Sequence, residues 1–403
     1  MALMAEAEKL PAPGASPRRI TILGSTGSIG CSTLDLVERE PERFSVEALT
    51  AHSNVEALVD QALKFRPSLA VIGDPAHYDA LKEGLAGSGI EAAAGPAAIE
   101  DAASRPSDLV MAGIVGAAGL APTLAAVRRG ACVALANKEC LVSAGALFLS
   151  EVERSGAVLL PVDSEHNAIF QVLEDDKPES ISRIILTASG GPFRTWTAEE
   201  MVVATPAQAV AHPRWDMGAK ISVDSATLMN KGLELIEAFY LFPVEERQID
   251  VIIHPESIIH SMVEYLDGSV LAQLGSPDMR TPIGYTLAWP SRMATPSARL
   301  DFAEIGKLTF EAPDITRFPL LRLAREALQE GGASPTVLNA ANEVAVAAFL
   351  KGNIPFPDIA ATVEHVLGGD TWGTQGPARL DDVYELDALS RKRASEWVQK
   401  RSR

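Results

Sequence analysis

The chain has 403 residues, of which 47% are hydrophobic and 22% are charged, as in a globular protein with a large core. Acidic residues outnumber basic ones by 53 to 35, and the net charge of −18 argues against nucleic acid or an anionic membrane as a partner. The three cysteines, Cys31, Cys132 and Cys140, match neither a zinc site nor a disulfide framework, and they suit a reducing compartment.

Residues 1–18 are rich in alanine and proline and lack the apolar core of an export signal. We expect them to form a disordered leader. No later apolar run is long enough to span a bilayer. Together with the cysteines, this predicts a cytoplasmic protein.

A strand, a glycine-rich turn and a helix follow the leader. Residues 19–23 are an apolar run, residues 24–30 read G-S-T-G-S-I-G, and apolar residues then recur at helical spacing. Glycines let the backbone approach a pyrophosphate, and a helix N-terminus presents N–H groups to it. The pattern predicts the phosphate-binding start of a dinucleotide fold; the alternative is a glycine turn that serves packing alone.

The second predicted strand, residues 45–50, is followed by Ala51, His52, Ser53 and Asn54. An NAD enzyme usually has a carboxylate there, which binds the ribose hydroxyls. Neutral or cationic groups tolerate the 2′-phosphate of NADP, so the sequence favours NADP. The alternative is that these residues only cap the next helix.

Further apolar runs at 69–72, 109–111, 132–135 and 158–160 alternate with helical segments, which predicts a doubly wound parallel sheet. A second glycine-rich loop, residues 113–119, follows one of these strands. Asn137, Lys138 and Glu139 follow the next. They lie where such sheets bind ligands, or else they form a solvated charged turn.

Two carboxylates, Asp163 and Glu165, come directly after the last strand of this series, with Ser164 between them and His166 behind. Carboxylate oxygens so close together suit a divalent cation such as Mg²⁺ or Mn²⁺. The alternative is an acidic turn in which Asp163 caps the following helix.

The second half begins with a predicted strand at 184–187 and a long segment, residues 188–220, that contains Trp196, His212 and Trp215. Long segments of weak periodicity are often active-site loops. A tryptophan there could close over a ligand, or it could pin the loop to the core.

A helix is predicted over residues 222–238. Its Asn230, Lys231 and Glu234 share one face, and Ser225 lies near its start. These groups could hold a phosphate, and Glu234 or Glu237 could complete the metal site; spacing does not choose between the two acids. The alternative is a solvated helix with local ion pairs.

The remaining segments read more simply. Residues 265–274 predict a hairpin with its turn at Asp267 and Gly268, and its strands could extend a sheet across a dimer. His254 and His260 are expected to be packed or surface residues. Helices are predicted at 319–328, 334–350, 357–367 and 387–399.

The predicted organisation is therefore α/β. It comprises the leader 1–18, a dinucleotide-binding domain 19–162, a catalytic and dimerisation domain 163–289, a proline-rich linker 290–315 and a helical domain 316–403.

Five motifs in order resemble the 1-deoxy-D-xylulose 5-phosphate reductoisomerase family. They lie at residues 24–30, 137–139, 161–166 and 189–193, and from 212–215 through 230–234. The resemblance implies a V-shaped homodimer with an N-terminal Rossmann-like NADPH domain, a catalytic α/β domain with a dimerising sheet, and a C-terminal helical bundle. It implies conversion of 1-deoxy-D-xylulose 5-phosphate to 2-C-methyl-D-erythritol 4-phosphate by metal-assisted retro-aldol and aldol steps and hydride transfer from NADPH.

The resemblance also assigns residues. It implies Mn²⁺, Mg²⁺ or Co²⁺ on Asp163, Glu165 and Glu234. Glu165, Lys138 and His212 are the expected catalytic residues. The expected substrate contacts are Ser164, Ser189, His212, Trp215, Ser225, Asn230, Lys231 and Glu234. The expected NADPH contacts are Gly24, Thr26, Gly27, Ser28, Ile29, His52, Ser53, Asn54, Asn137, Glu139 and Gly218.

One departure concerns the cofactor, because many family members have a glycine and a basic residue where this chain has His52 and Ser53. Two other functions rank lower: a metal-independent NADP dehydrogenase and a regulator that senses NADP(H).

Overall fold

The computed structural model describes residues 16–174, 177–215, 217–369, 372 and 376–401. Residues 1–15 of the predicted leader lie outside this range, and the first strand already begins at Arg18. The chain forms two compact units. The first contains the described residues of Met1–Cys140, Phe148–Asn167 and Met279–Ser297, and the second those of Leu141–Leu147, Ala168–Asp278 and Ala298–Arg403. The five-part division made from the sequence stays a prediction.

The first unit is built on a seven-stranded parallel sheet with the order β4-β3-β2-β1-β5-β6-β7. Its strands are β1 (Arg18–Leu23), β2 (Phe44–Ala51), β3 (Leu69–Ile72), β4 (Glu91–Ala94), β5 (Leu109–Ala112), β6 (Cys132–Leu135) and β7 (Val158–Pro161). The strand order reverses between β1 and β5, which confirms the doubly wound sheet. Edge strand β4 was not predicted, because its Glu-Ala-Ala-Ala sequence has low β propensity.

Helices follow these strands in turn: α1 (Ser28–Arg39), α2 (Val55–Phe65), α3 (Tyr78–Gly84), α4 (Pro96–Ser104), α5 (Leu120–Arg128), α6 (Glu139–Ser155) and α7 (Ser164–Val172). Strands β3, β5, β6 and β7 are buried along their whole length. A parallel sheet with both faces covered explains why these strands are continuous apolar runs rather than alternating ones.

The second unit contains a four-stranded sheet in the order β11-β10-β8-β9, formed by β8 (Ile181–Ala188), β9 (Ile249–Ile253), β10 (Ile259–Tyr265) and β11 (Val270–Leu274). Strand β10 runs antiparallel to β8 and β11, and β8 runs parallel to β9. The predicted hairpin is confirmed, with Gly268 at a φ of +85° and Asp267 accepting a hydrogen bond from the Ser269 N–H at 2.8 Å.

The single helix predicted over residues 222–238 is wrong. Two short helices, α8 (Ala198–Val202) and α9 (Pro206–Val210), precede α10 (Ala219–Ala226) and α11 (Met229–Leu241). The chain breaks at Leu228, whose φ is +61°. The Thr227 hydroxyl accepts a hydrogen bond from the Met229 N–H at 3.3 Å and so replaces a helical backbone partner at the corner.

A returning segment, Met279–Ser297, belongs to the first unit and contains α12 (Arg280–Ala288). The sequence does not predict this helix, because the helix is buried on several sides and shows no amphipathic stripe. The buried guanidinium of Arg18 donates to the Leu287 carbonyl at 2.6 Å and the Trp289 carbonyl at 3.2 Å. Arg18 thus satisfies carbonyls at the C-terminal end of α12.

The C-terminal part of the second unit is helical, as predicted, with α13 (Phe302–Ile305), α14 (Pro319–Glu330), α15 (Ser334–Leu350), α16 (Pro357–Gly368) and α17 (Leu380–Arg401). Helix α17 is longer than predicted, and α15 is the most buried helix of this group. Among the described residues, no helix has both the length and the apolar composition that a membrane crossing requires.

Candidate active site

The two glycine-rich loops meet at the reversal point of the parallel sheet. Gly24 has a φ of +82°, and a Cβ placed on it would lie 2.9 Å from the Gly113 carbonyl oxygen. A Cβ on Gly30 would clash with the backbone of Gly24 and Ser25. The tight turn lets α1 begin at Ser28 without a side-chain cap, which leaves its N-terminus suited to an anion.

The end of β2 is open to solvent. His52, Ser53 and Asn54 are all exposed there. The Asn54 side chain accepts a hydrogen bond from the Ala57 N–H at 3.2 Å, so the capping alternative is confirmed for this residue.

Asn137 is buried and ties the second glycine loop to the end of β6. Its Nδ2 donates to the carbonyls of Ile114 at 2.5 Å and Gly116 at 3.0 Å, and its Oδ1 accepts from the Cys140 N–H at 2.8 Å. The family resemblance implies only a cofactor contact for Asn137. Its loop contacts were not predicted, because both carbonyls belong to the loop after β5, whereas Asn137 follows β6.

Asp163 and Lys138 form an ion pair between the ends of β7 and β6, and their side chains are only 17% and 14% exposed. A solvated charged turn is therefore wrong for Lys138. Asp163 Oδ1 also accepts from the Glu165 N–H at 3.1 Å and lies 3.6 Å from His166 Nδ1. The predicted cap of α7 is confirmed. It does not exclude a cation, because a carboxylate offers several acceptor sites.

The start of α7 is held by polar groups beneath it. The Ser164 hydroxyl donates to Glu165 Oε2 at 2.5 Å. Buried Asn167 donates to the Pro161 carbonyl at 2.8 Å and contacts the Thr286 hydroxyl at 3.3 Å. Sequence reasoning missed Asn167, although it follows the acidic motif directly, and also missed Thr286, which no local pattern marks.

In the second unit, His212 bridges Ser189 and the backbone. Its Nδ1 accepts from the N–H groups of Arg214 at 3.2 Å and Trp215 at 2.9 Å, and its Nε2 lies 2.8 Å from Ser189 Oγ. With its lone pair used at Nδ1, the neutral ring carries its proton on Nε2 and donates it to Ser189. Burial lowers the pKa of His212 to about 4.

Ser189 is carried towards Ser225 by two glycines. Gly190 and Gly191 have φ values of +81° and +67°, and a Cβ on Gly191 would lie 2.6 Å from the Ser225 carbonyl oxygen. The structure thus gathers three of the predicted substrate contacts, Ser189, His212 and Ser225, around the C-terminal end of α10.

Helix α11 carries a buried polar cluster one turn away. Asn230 Nδ2 donates to Glu234 Oε1 at 2.5 Å, and the Lys231 ammonium pairs with the other carboxylate oxygen. Lys231 and Glu234 are 3% and 0% exposed, so the expected local pairs exist but the solvated helix face is wrong. Glu237 is buried as well, and Gly218 precedes the first residue of α10.

The two tryptophans of the long segment differ. Trp196 packs on Phe193, with ring centroids 4.6 Å apart, and its carbonyl accepts from Arg317 at 2.5 Å, so it pins the segment to the core. Trp215 meets His260 edge-on with ring centroids 6.0 Å apart. His254 is fully buried against Thr309 and Phe310, a packed residue as expected.

Comparison with known proteins gives the same family along most of the chain. Profiles described as 1-deoxy-D-xylulose 5-phosphate reductoisomerase, its C-terminal domain, and DXP reductoisomerase C-terminal domain match residues 20–145, 159–242 and 274–393. A 1-deoxy-D-xylulose 5-phosphate reductoisomerase of Rhodospirillum centenum is 62% identical over 381 residues, which is 94% of each chain. The chain belongs to the 1-deoxy-D-xylulose 5-phosphate reductoisomerase family.

Other reductoisomerases agree with this assignment. The protein of that name from Zymomonas mobilis is 58% identical and covers 94% of this chain and 97% of its own length. A solved structure of the Zymomonas mobilis reductoisomerase in complex with NADPH has a TM-score of 0.90 at 55% identity and covers 96% of this chain and 99% of its own. A DOX-P reductoisomerase in complex with NADPH, fosmidomycin and magnesium has a TM-score of 0.91 at 42% identity and covers 95% and 98%. The predicted fold class is confirmed by these reductoisomerase structures.

Proposed function

We propose that this chain converts 1-deoxy-D-xylulose 5-phosphate to 2-C-methyl-D-erythritol 4-phosphate with NADPH and a divalent cation, in the methylerythritol phosphate route to isoprenoid precursors. The observation that carries the proposal is the 62% identity to a reductoisomerase over 94% of both chains. The five motifs support it, because each motif contains side chains or backbone groups that this reaction can use.

The proposed cation ligands are Asp163, Glu165 and Glu234. Their donor atoms are carboxylate oxygens, which suit Mg²⁺, Mn²⁺ or Co²⁺. When bound, the cation supplies a Lewis acid for the C2 carbonyl and C3 hydroxyl oxygens of the substrate. The Lys138 ammonium beside Asp163 limits the negative charge of the acidic motif and orients that carboxylate.

The glycine turn after β1 fits the NADPH pyrophosphate, because a backbone without side chains can approach the ligand closely. The turn is tight enough that a Cβ on Gly30 would clash with the backbone of Gly24 and Ser25. NADPH supplies the hydride that reduces the branched aldehyde. His52 and Ser53, exposed at the end of β2, are the proposed partners of the 2′-phosphate. Residues 51–54 at this strand end carry no carboxylate of their own.

The substrate phosphate is assigned to the second unit. Hydroxyls of Ser189 and Ser225, the Asn230 amide and the Lys231 ammonium supply donors, and His212 orients Ser189. A chain with a net charge of −18 needs a local cation to bind an anion, and Lys231 provides it.

The bond changes require one proton transfer at the start. A base at or beside Glu165 removes the C4 hydroxyl proton, and the C3–C4 bond then breaks in a retro-aldol step. The bound phosphate keeps the two-carbon aldehyde fragment in place for re-addition, in which a C2–C4 bond forms and C3 becomes the aldehyde that is reduced. Trp215 is the residue proposed to cover the fragment and exclude water from it.

The direct test follows NADPH absorbance after mixing the purified protein with 1-deoxy-D-xylulose 5-phosphate and Mn²⁺ or Mg²⁺. Metal-dependent loss of NADPH with the branched polyol phosphate as product is expected, and NADH should react more slowly. NADPH-linked turnover that survives exhaustive chelation would favour the dehydrogenase. NADPH binding without turnover would favour the regulator.

Glu234→Gln tests the metal assignment. The variant should fold, because an amide keeps the shape of the side chain, and it should lose metal-dependent turnover since a charged ligand is gone. Glu237→Gln is the matched control, a second buried acid on the same helix that spacing alone did not exclude. Retained turnover in Glu234→Gln, or its loss only in Glu237→Gln, would contradict the assignment.

The assembly and location are also proposed. A homodimer is supported by the exposed edge strand β11, whose Val270 and Leu271 are apolar. The net charge supports the absence of nucleic-acid and anionic-membrane partners. Cys31, Cys132 and Cys140 form no disulfide with one another, and this and the bacterial relatives support the bacterial cytoplasm.

A further inference from the structure

A buried carboxylate lies directly before Ser225 in α10. Asp224 is 1% exposed, and both of its oxygens are bound. Oδ2 lies 2.8 Å from the Lys220 ammonium, one turn earlier on the same helix. Oδ1 accepts a hydrogen bond at 2.8 Å from Nδ2 of Asn342, which lies on α15. A carboxylate without such partners would be costly to bury.

Asn342 is itself an unusual residue in its surroundings. It is fully buried, and its neighbours on α15 include Leu338, Ala341, Ala345 and Val346, which are buried and apolar. Its Oδ1 has no hydrogen-bond partner among the described residues. The bond to Asp224 is thus what offsets the cost of placing an amide here.

The hydrogen bond between Asn342 and Asp224 connects α15 to the corner between α10 and α11. The Asp224 carbonyl accepts from the Thr227 hydroxyl at 3.2 Å, and the Ser225 carbonyl accepts from the Leu228 N–H at 3.2 Å. The chain then turns at Leu228 and starts α11 with Met229 and Asn230. A side chain that fixes Asp224 therefore fixes the start of the corner that carries the proposed phosphate ligands.

We propose that Asp224 and Asn342 are positioning residues for substrate phosphate binding. Their bond anchors the α10–α11 corner to the buried helix α15 and sets the place of Ser225 relative to Asn230 and Lys231. Neither residue touches the substrate in this arrangement. The inference rests on the proposed function, since it takes these three side chains as ligands of the phosphate.

Asn342→Leu removes the donor and nearly keeps the volume. The KM for 1-deoxy-D-xylulose 5-phosphate should rise about tenfold, because a hydrogen bond to a charged group is lost. The kcat and the Kd for NADPH should change less than about threefold, because the bond meets α10 at Asp224, next to Ser225, and contacts none of the residues assigned to NADPH or the cation.

Asn339→Leu is the matched control. Asn339 is a buried amide one turn earlier on α15, but its Nδ2 donates to Glu343 of the same helix at 3.1 Å and not to α10. It should lower the melting temperature like Asn342→Leu and leave KM unchanged. An equal rise of KM in both variants, or no rise in a folded Asn342→Leu protein, would overturn the proposal.

A pair exchange provides the rescue. Asn342→Asp places two carboxylates together and should raise KM, whereas the double variant Asp224→Asn with Asn342→Asp restores an amide–carboxylate bond and should lower KM again. A double variant no better than Asn342→Asp would count against the pair.

Hydrogen exchange separates this proposal from the proposed function. Asn342→Leu should speed the exchange of amides 225–231, and Asn339→Leu should not. If the wild-type protein showed no turnover, the proposed function would fail while this measurement still decided the anchoring role. Unchanged exchange in Asn342→Leu would overturn that role.

Discussion

Burial keeps the His212 ring neutral, and two backbone N–H groups fix which ring nitrogen carries the proton. The N–H groups of Arg214 and Trp215 both point at Nδ1, so a proton there would displace two hydrogen bonds. The ring therefore acts as a fixed donor through Nε2 that orients the Ser189 hydroxyl. A residue predicted to be catalytic from its motif has a geometry that favours orientation over proton transfer.

This geometry predicts the pH response of His212. In the substrate-free protein the imidazole should titrate near pH 4, because burial lowers its pKa to about 4. The unfolded chain takes up this proton first, at about pH 6.5, so this residue should destabilise the fold as pH falls from there to about 4 and have no effect above. NMR titration of the ring measures the pKa directly.

The matched variants are His212→Gln, which keeps a donor towards Ser189, and His212→Ala, which does not. Between pH 7 and pH 4, the unfolding midpoint should fall less in His212→Gln than in the wild-type protein. The value of kcat/KM should fall about tenfold further in His212→Ala than in His212→Gln, the cost of one hydrogen bond. A ring that titrates near pH 6.5 would contradict the neutral donor.

Gly30 and Gly27 differ in what their substitution should cost. A Cβ on Gly30 would overlap the backbone of Gly24 and Ser25, whereas one on Gly27 would lie at an ordinary 3.4 Å from the Gly24 oxygen. Gly30→Ala should lower the stability by about 3 kcal/mol or more, and Gly27→Ala by less than about 1 kcal/mol. Denaturant unfolding followed by circular dichroism measures both, and equal losses would contradict the close packing of this turn.

Whether the role of a single residue can be predicted depends on how far away in the chain its contact partners lie. Asp163, Glu165 and Lys231 stand in short motifs with a chemical pattern, so they could be named as candidates. Asn167 contacts Thr286, which lies 119 residues away in the chain, and Asn342 donates to Asp224, which lies 118 residues away. A bond between such distant positions leaves no local periodicity, so neither residue could be assigned a role.

The predictions of some whole helices and strands were wrong for related reasons. The apolar pattern of residues 222–238 continues across the corner at Leu228, and periodicity alone does not reveal one residue of positive φ. Strand β4 forms because β3 offers a pairing edge, although its alanines have low β propensity. Strands with buried apolar runs, such as β6 and β7, were predicted correctly, because burial on both faces leaves a clear signal.

Arg18 should stabilise the first unit through α12. Arg18→Ala removes a guanidinium that donates to the Leu287 and Trp289 carbonyls and leaves these groups without that partner. We expect a loss of about 2–4 kcal/mol. Arg19→Ala is the control, since Arg19 is the exposed neighbour on the same strand, and it should cost less than about 0.5 kcal/mol. Thermal unfolding compares the two, and equal melting temperatures would show that Arg18 does not hold this helix.

At the scale of the molecule, the fold class and the family were the best predicted features. Alternating strand and helix signals define a doubly wound sheet even where one strand is missed, since most connections between parallel strands have one hand. The return of Met279–Ser297 to the first unit could not be predicted. Chain order suggests contiguous domains. The packing of α12 on α1 instead joins segments that lie far apart in the sequence.

The edge strand β11 leads to a prediction about assembly. The opposite edge of the sheet continues through a bridge between Ile253 and Glu311, whereas β11 presents exposed Val270 and Leu271. An exposed apolar edge strand favours pairing with another chain, and a second copy offers the same edge. Light scattering should therefore give twice the 42.8 kDa mass of the chain.

Leu271→Glu places a charge on this strand and should shift the protein towards the monomer at micromolar concentration, because burying an unpaired carboxylate in an interface is costly. Leu63→Glu is the matched control. Leu63 is equally exposed, at 42%, but lies on α2 of the first unit, so this variant should remain dimeric. A dimer that persists in Leu271→Glu, or one that dissociates in Leu63→Glu, would place the interface elsewhere. A monomeric wild-type protein would remove the homodimer from the proposed function while leaving the chemistry to be tested by NADPH oxidation.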